Sequence, residues 1–275
     1  MIRNHASQTQ GIGHFLRFFL WAAASLLLCG AALAANPPSW WNDIANDRVA
    51  EVRKALARGA DPNEISPAGQ PAIMQAIRDG SWKVYDLLAA NSKTVRNAIN
   101  VNRETPLMYL AVTGETQRAQ DLIKRGALVN RLGWTPLHYA ASKGHLDTVK
   151  MLVANKAIVN APGPDGTTAL MMAAYAGSEP VVQYLLGVGA DATMKTTQQY
   201  DAAHWARLKN HTVLADKLDA LSAKVIAQRN AQRGAGAGAT SQATQPAPAA
   251  SVSKPSESST SRYFNLDRFD EDPVP

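Results

Sequence analysis

The chain has 275 residues, a formal net charge of +6 and a single cysteine, Cys29. One cysteine excludes an intrachain disulfide. The basic residues are scattered along the chain rather than gathered in a stripe, and no nucleic-acid motif accompanies them. The charge therefore indicates solubility and not a nucleic-acid partner.

An export signal is predicted over residues 1–34. Two arginines and no acid precede an apolar run over residues 18–35, and Ala32-Leu33-Ala34 supplies the small-x-small pattern of a cleavage site. We expect cleavage after Ala34 and a periplasmic location. The alternative is an uncleaved inner-membrane anchor facing the periplasm, because ~17–25 apolar residues can span a bilayer. The repeats described below lie across the membrane in both cases.

An eleven-residue motif recurs five times after this signal. The fullest copy, residues 135–145, reads Thr-Pro-Leu-His-Tyr-Ala-Ala-Ser-Lys-Gly-His, and residues 105–114 and 168–177 are close relatives. Weaker copies begin at Pro71 and Asp201. Thr is a good helix N-cap, Pro fits the first helical position, and Gly ends the helix in a left-handed conformation. The motif therefore predicts a short helix with a small-residue face.

A second motif, Gly-Ala-x-x-Asn, marks the end of each repeat. It occurs at residues 59–63 and 126–130, without the glycine at 156–160, and with a final Thr at 189–193. The two motifs agree on a period near 33 residues, which is typical of stacked helix pairs. Counting back from Asn63 adds a sixth repeat whose first helix lies around residues 40–45.

Together these motifs resemble the ankyrin repeat. The resemblance implies an all-α solenoid of about six helix-turn-helix repeats with short β-hairpin fingers, over residues 35–225. A finger is the loop between the last Asn of one repeat and the first helix of the next. Such a solenoid does no chemistry, and it presents a surface to another protein.

Finger length varies along the array. Eight residues separate Asn63 from Pro71, five separate Asn130 from Thr135, and three separate Asn102 from Thr105. Six extra residues within residues 90–100 compensate for the last of these. We therefore expect shortened fingers ahead of the third and fourth repeats, with a bulge on the opposite side.

Partner-binding residues are implied by the resemblance, because members of the family contact their partners through the finger tips and the concave inner helices. Aromatic and Met side chains are enriched at interface hot spots. Trp134 and Leu132 are on a short loop beyond the helices, whereas the others have the alternative of packing along the groove. The predicted residues are Tyr109, Leu132, Trp134, Tyr139, Met172 and Tyr175, with Val112 and Trp205 at equivalent variable positions.

No catalytic site is predicted. His138 and His204 occupy the His position of the repeat motif, and His145 and His211 begin second helices. None has an Asp, Glu or Cys at metal-ligand or triad spacing, and no phosphate-binding loop is present. We expect neither an enzyme nor a cofactor nor a metal.

Composition changes after the repeats. Residues 226–260 are predicted to be a flexible low-complexity linker, because Gly, Ala, Ser, Thr, Gln and Pro dominate it. Residues 261–275 then combine aromatic and acidic side chains, which predicts either an incidental disordered tail or a short motif that docks on a partner or on the groove. The motif residues are Tyr263, Phe264, Leu266 and Phe269.

The sequence as a whole favours an exported binding module that recognises a periplasmic or envelope protein. Two alternatives remain open at this point. One is a regulatory or protective, immunity-type subunit of a specific envelope enzyme. The other is a membrane-tethered structural spacer, which requires the uncleaved signal.

Overall fold

Six helix pairs form the molecule, as the computed structural model describes it over residues 36–236. The predicted signal and the four residues of the tail motif lie outside this range. Within it there are twelve α-helices and no β-strand, so the predicted all-α ankyrin-type solenoid is confirmed. The helices are α1 (Trp40–Ala45), α2 (Val49–Ala57), α3 (Ala72–Arg78), α4 (Trp82–Ala90), α5 (Pro106–Val112), α6 (Thr116–Lys124), α7 (Pro136–Ser142), α8 (Leu146–Ala154), α9 (Ala169–Tyr175), α10 (Glu179–Gly187), α11 (Ala202–Leu208) and α12 (Thr212–Gly236).

The first helix of each pair is the inner helix and the second is the outer helix. Inner helices pack against the inner helices of both neighbours and against their own outer helix. Every residue of α5 and α7 is buried. The alanines of the repeat motif, such as Ala140 and Ala141, leave no side-chain bulk between neighbours and are fully buried. A continuous core therefore runs through all six pairs.

His138 joins the fourth repeat to the fifth. Its Nδ1 lies 3.2 Å from the backbone nitrogen of Thr135 at the start of its own helix, and its Nε2 lies 3.0 Å from the carbonyl oxygen of Thr167 in the next finger. Accepting at Nδ1 and donating at Nε2 requires the neutral ring. Burial lowers the pKa of His138 to about 4 from 6.5, which maintains that neutral form.

A ladder of asparagine side chains connects the repeats along the finger side. Each Asn donates from Nδ2 to a backbone carbonyl of the next repeat and accepts a backbone N–H there at Oδ1. The loops thereby satisfy backbone groups that no helix can pair. The members and their partners are Asn36 with Asp61, Asn63 with Lys93 and Val95, Asn97 with Gly126 and Leu128, Asn130 with Lys156 and Ile158, and Asn160 with Gly189 and Asp191.

The ladder corrects the predicted register of the second repeat. Asn97, and not Asn102, makes the ladder contacts there. Asn97 precedes Thr105 by eight residues, so the finger ahead of the third repeat has its full length and that part of the prediction is wrong. The back half of the repeat carries one extra residue rather than six. Asn91 leaves α4 in an extended conformation, where other outer helices end in a glycine-type turn.

The fingers are tight turns rather than hairpins with paired strands. The described residues contain one isolated bridge, between Ile65 and Pro71. Four fingers share a turn in which the first N–H bonds to the carbonyl four residues later, over residues 66–70, 100–104, 163–167 and 196–200. The finger between Asn130 and Thr135 has no such bond, as its five-residue length predicts.

The last helix is longer than predicted. α12 continues to Gly236, so the first residues assigned to the linker are helical. Ala, Gln and Arg dominate residues 226–233, and these residues favour a helix. Arg229 fixes this extension to the fifth repeat through contacts of 2.9 Å to Asp191 Oδ2 and 2.7 Å to Thr193 Oγ1. The folded part of the chain therefore extends beyond the boundary at residue 225.

The ladder register has a direct test. Asn97→Ala removes two hydrogen bonds to the backbone of the next repeat, and we expect it to lower the free energy of unfolding by about 1–3 kcal/mol in urea denaturation. Asn102→Ala is the matched control: that residue is exposed, and its change should stay within ~0.5 kcal/mol. The opposite ranking would restore Asn102 as the repeat marker.

His138 gives the fold a pH dependence. Its folded pKa of about 4 is below the ordinary value of 6.5, so its contribution is complete above pH 6.5 and is lost as the pH falls through 4. Denaturation at pH 7 and pH 4 should show an extra loss on the order of 2–3 kcal/mol in the natural chain compared with His138→Gln. Equal losses in both proteins would contradict this assignment.

Candidate protein-interaction surface

Three of the predicted concave-face residues are buried. Tyr109, Tyr139 and Met172 are 2%, 1% and 3% exposed, and Val112 is also buried. Their side chains belong to the core that joins neighbouring inner helices. The closely packed alanine faces bring successive repeats together and cover these positions. The prediction that they present a surface to a partner is therefore corrected.

The two tyrosine hydroxyls are held in a buried polar cluster. Tyr139 donates to Glu104 Oε1 at 2.6 Å, Asn100 donates to Glu104 Oε2 at 2.8 Å, and Gln70 donates to the Tyr109 hydroxyl at 2.7 Å. Glu104 itself is 2% exposed. Burial raises the pKa of both tyrosines, which keeps their hydroxyls protonated at neutral pH. The cluster ties three consecutive repeats together and has a structural role.

Trp134 packs within the array instead of standing outside it. Its ring meets His138 edge-on at a centroid distance of 5.3 Å. It also covers Gly163 of the next finger so closely that a Cβ there would lie 3.0 Å from the ring. The side chain is half-buried against the core. The short finger is thus fixed to its neighbour by this ring, and the partner-binding role of Trp134 stays a prediction.

Leu132 and Tyr175 keep accessible surface. Leu132 is 97% exposed on the short finger. Tyr175 is half-buried, with its ring 5.6 Å from that of Trp205 and 4.8 Å from Lys209 Nζ. The two residues lie in different repeats, one on a finger and one on an inner helix, and the structure does not bring them into one cluster.

An exposed apolar band runs along the finger side on both flanks of the asparagine ladder. Its residues stand two positions before or two positions after a ladder Asn, and each is at least half exposed. Backbone hydrogen bonds from Val95, Leu128 and Ile158 to the preceding Asn align them in consecutive repeats. The apolar band consists of Ile65 (57%), Val95 (52%), Ile99 (50%), Leu128 (62%), Leu132 (97%) and Ile158 (57%).

Charges border the apolar band. Lys93, Arg125 and Lys156 are exposed and stand two or three residues before Val95, Leu128 and Ile158. The equivalent of those three apolar positions is Asp61 in the first repeat and Asp191 in the fifth. The central repeats therefore combine an apolar surface with positive charge. At both ends of the band, a carboxylate side chain occupies the position that is apolar in the central repeats.

Sequence reasoning found only Leu132 among the six band residues. The signal was present, because the positions on either side of each ladder Asn could have been read from the motif. Placing the marker at Asn102 instead of Asn97 hid Val95 and Ile99. The enrichment of aromatic residues at interfaces also favoured the prediction of binding positions that the stacking of the repeats buries.

Other kinds of site find no support over residues 36–236. No group of three or more His, Cys, Asp or Glu side chains in that range is placed to hold a metal ion. No helix in that range is long and apolar enough to cross a membrane.

The fold and the exposed apolar band define a helical repeat protein that presents an interaction surface. Residues 122–196 match the family model described as Ankyrin repeats (3 copies). The chain is 31% identical over 165 residues to Ankyrin repeat and SAM domain-containing protein 6 of Rattus norvegicus, covering 60% of this chain and 15% of that protein. It is 28% identical over 173 residues to a putative ankyrin repeat-containing protein of Treponema pallidum, covering 60% and 57%.

A third relative is the B-cell lymphoma 3 protein homolog of Mus musculus, 30% identical over 151 residues, which are 52% of this chain and 34% of that protein. The chain thus spans less than two thirds of the length of these relatives. Ankyrin repeats are protein-interaction modules. This chain therefore contains ankyrin repeats over residues 122–196 and is similar to ankyrin-repeat proteins.

The packing role of Trp134 predicts a loss of stability. Trp134→Ala should lower the free energy of unfolding by about 2 kcal/mol or more, because it removes a large ring wedged between two repeats. Leu132→Ala on the same finger is the control and should leave the thermal midpoint nearly unchanged, since that side chain is exposed. Equal thermal midpoints for both variants would contradict the packing role of Trp134 and indicate that its ring is exposed.

Proposed function

We propose that this chain is an exported interaction module that binds a periplasmic or envelope protein through the finger side of its repeats. The apolar band carries the proposal. Exposed apolar patches that are bordered by polar residues are typical of protein-interaction sites. Concave inner-helix positions contribute less than the sequence predicted, because most of their large side chains are buried.

Burial of the apolar band contributes favourably to association. Full burial of a Val, Leu or Ile side chain contributes about 1.5–3 kcal/mol, and six side chains that are at least half exposed retain roughly 5–10 kcal/mol of that gain. Association itself costs an estimated 4–15 kcal/mol. The band alone therefore supports a weak complex, and the neighbouring Lys and Arg residues favour a partner with an acidic rim.

We assign the chain no catalytic step, cofactor or metal. The histidines that could have served chemistry are used in packing: His138 joins two repeats, and His145 Nε2 lies 2.9 Å from the carbonyl oxygen of Val112. An interaction role accords with this use of the polar residues. An envelope enzyme recovered as the partner would make the chain its regulatory subunit.

Export is supported by the position of the first ladder residue. Cleavage after Ala34 leaves Asn36, which exchanges two hydrogen bonds with the backbone of Asp61, at 2.6 and 2.8 Å. The predicted cleavage site therefore precedes every residue of the described range, 36–236. N-terminal sequencing of the protein from an envelope fraction should begin at Ala35. A chain that keeps residues 1–34 would favour the anchored alternative.

The binding surface has a paired test. Leu128→Asp and Leu132→Asp place a charge in the apolar band, and each should reduce partner recovery from envelope extract at least 10-fold by quantitative mass spectrometry. Val213→Asp is the control, because Val213 is 65% exposed on α12 and lies outside the band. Circular dichroism should be unchanged for all three. Undiminished recovery by the band variants would contradict the proposal.

A further inference from the structure

We infer that the C-terminal segment of this same chain, residues 261–275, binds the apolar band as an intramolecular ligand. The inference rests on the proposed function in one respect, since it takes the band to be a binding surface. It adds a specific occupant, one that competes with any other partner for the same side chains. The segment itself lies outside the described residues.

The first argument is the position of the last helix of the described range relative to the ladder. Arg229 on α12 contacts Asp191, and the Asp191 N–H bonds to the ladder residue Asn160. Asp191 thus stands at the repeat position that Ile158 and Leu128 occupy in the two preceding repeats. The extension of α12 therefore lies beside the repeat position that is one step beyond the C-terminal end of the band.

The second argument is length. Residues 237–260 number 24 and can span at most ~80 Å, at ~3.3–3.6 Å per residue. Helices in neighbouring repeats pack ~8–10 Å apart, so Val95 lies roughly 30 Å from Asp191 along the array. The connection therefore reaches every residue of the band. An extended segment from Tyr263 to Phe269 spans ~20 Å, which matches the two repeat steps from Ile158 to Val95.

The third argument is chemical complementarity. The segment offers four large apolar side chains to a band of six, and its Asp270-Glu271-Asp272 run follows the last aromatic residue. A chain that arrives from the C-terminal repeats places its aromatic residues near Ile158 and Leu128, and its carboxylates near Lys93. Lys93 is exposed, as are Arg125 and Lys156 along the band, and attraction to these cations favours binding of the acidic run.

The inner-helix groove is a poorer site for the same segment. Its large side chains at Tyr109, Tyr139 and Met172 are buried in the stacking of the repeats. Six of the large apolar side chains that are at least half exposed over residues 36–236 belong to the band. An apolar segment of four side chains therefore gains more by covering the band than by lying in the groove.

Photo-cross-linking of the full chain tests the inference. Benzoylphenylalanine replaces Phe264 in one protein and Val252, in the connecting segment, in the control. After irradiation of the purified chain, adducts from position 264 should map to peptides that contain Leu128 or Ile158. Their yield should be at least fivefold higher than from position 252. Adducts on α5 or α7, adducts between two chains, or equal yields from both positions would overturn the inference.

Surface variants sharpen this experiment. Leu128→Asp combined with Ile158→Asp should lower the adduct yield from position 264 at least fivefold, whereas Val213→Asp should leave it unchanged. An equal yield in all of these proteins would also overturn the inference. The purified chain contains no partner, so the outcome is separate from partner capture. A failed cross-link together with capture lost in the band variants would refute the inference and leave the proposed function intact.

Discussion

The asparagine ladder is the interaction on which the rest of the structure depends. The loops between outer helices and fingers contain backbone N–H and C=O groups that no helix pairs, and the ladder side chains form hydrogen bonds with them. Asn offers one donor group and one acceptor on the same short side chain, and so pairs a carbonyl and an N–H of the next repeat. An Asp at the same position could not replace Asn, because its carboxylate has no N–H group to donate to the carbonyl of the next repeat. The fifth repeat, which has Thr193 at this position, is held to the last repeat by Arg229 and by a bond from Ser222 to the Ala192 carbonyl.

Close stacking determines which surfaces remain available. Small residues on the inner helices bring the repeats together, and the large side chains between them become part of the core. The stacking even encloses polar groups, because the carboxylate of Glu104 and the hydroxyls of Tyr109 and Tyr139 are buried between repeats. The accessible apolar side chains consequently lie on the finger side. There the ladder fixes the backbone, and the side chains on either side of each ladder Asn remain in solvent.

The sequence predicted the repeat architecture well because its signals are local. Thr, Pro and Gly act at single helix ends, and their recurrence specified the number and order of the helices. The second repeat was misread because it lacks the Gly-Ala pair, and Asn91 and Thr94 replace it with an irregular turn. Burial of Tyr139 and the contact of Trp134 with Gly163 depend on how neighbouring repeats stack, and no motif within one repeat encodes that distance.

The short finger has a consequence for recognition. Equivalent repeats offer a ligand equivalent places, so an elongated partner could shift by one repeat and keep most of its contacts. The loop between Asn130 and Thr135 interrupts this translational symmetry, because it is three residues shorter than the fingers on either side and projects Leu132 into solvent. Only one alignment of a ligand places a pocket over that side chain. The shortened loop thereby gives a periodic surface one position at which a ligand can be aligned.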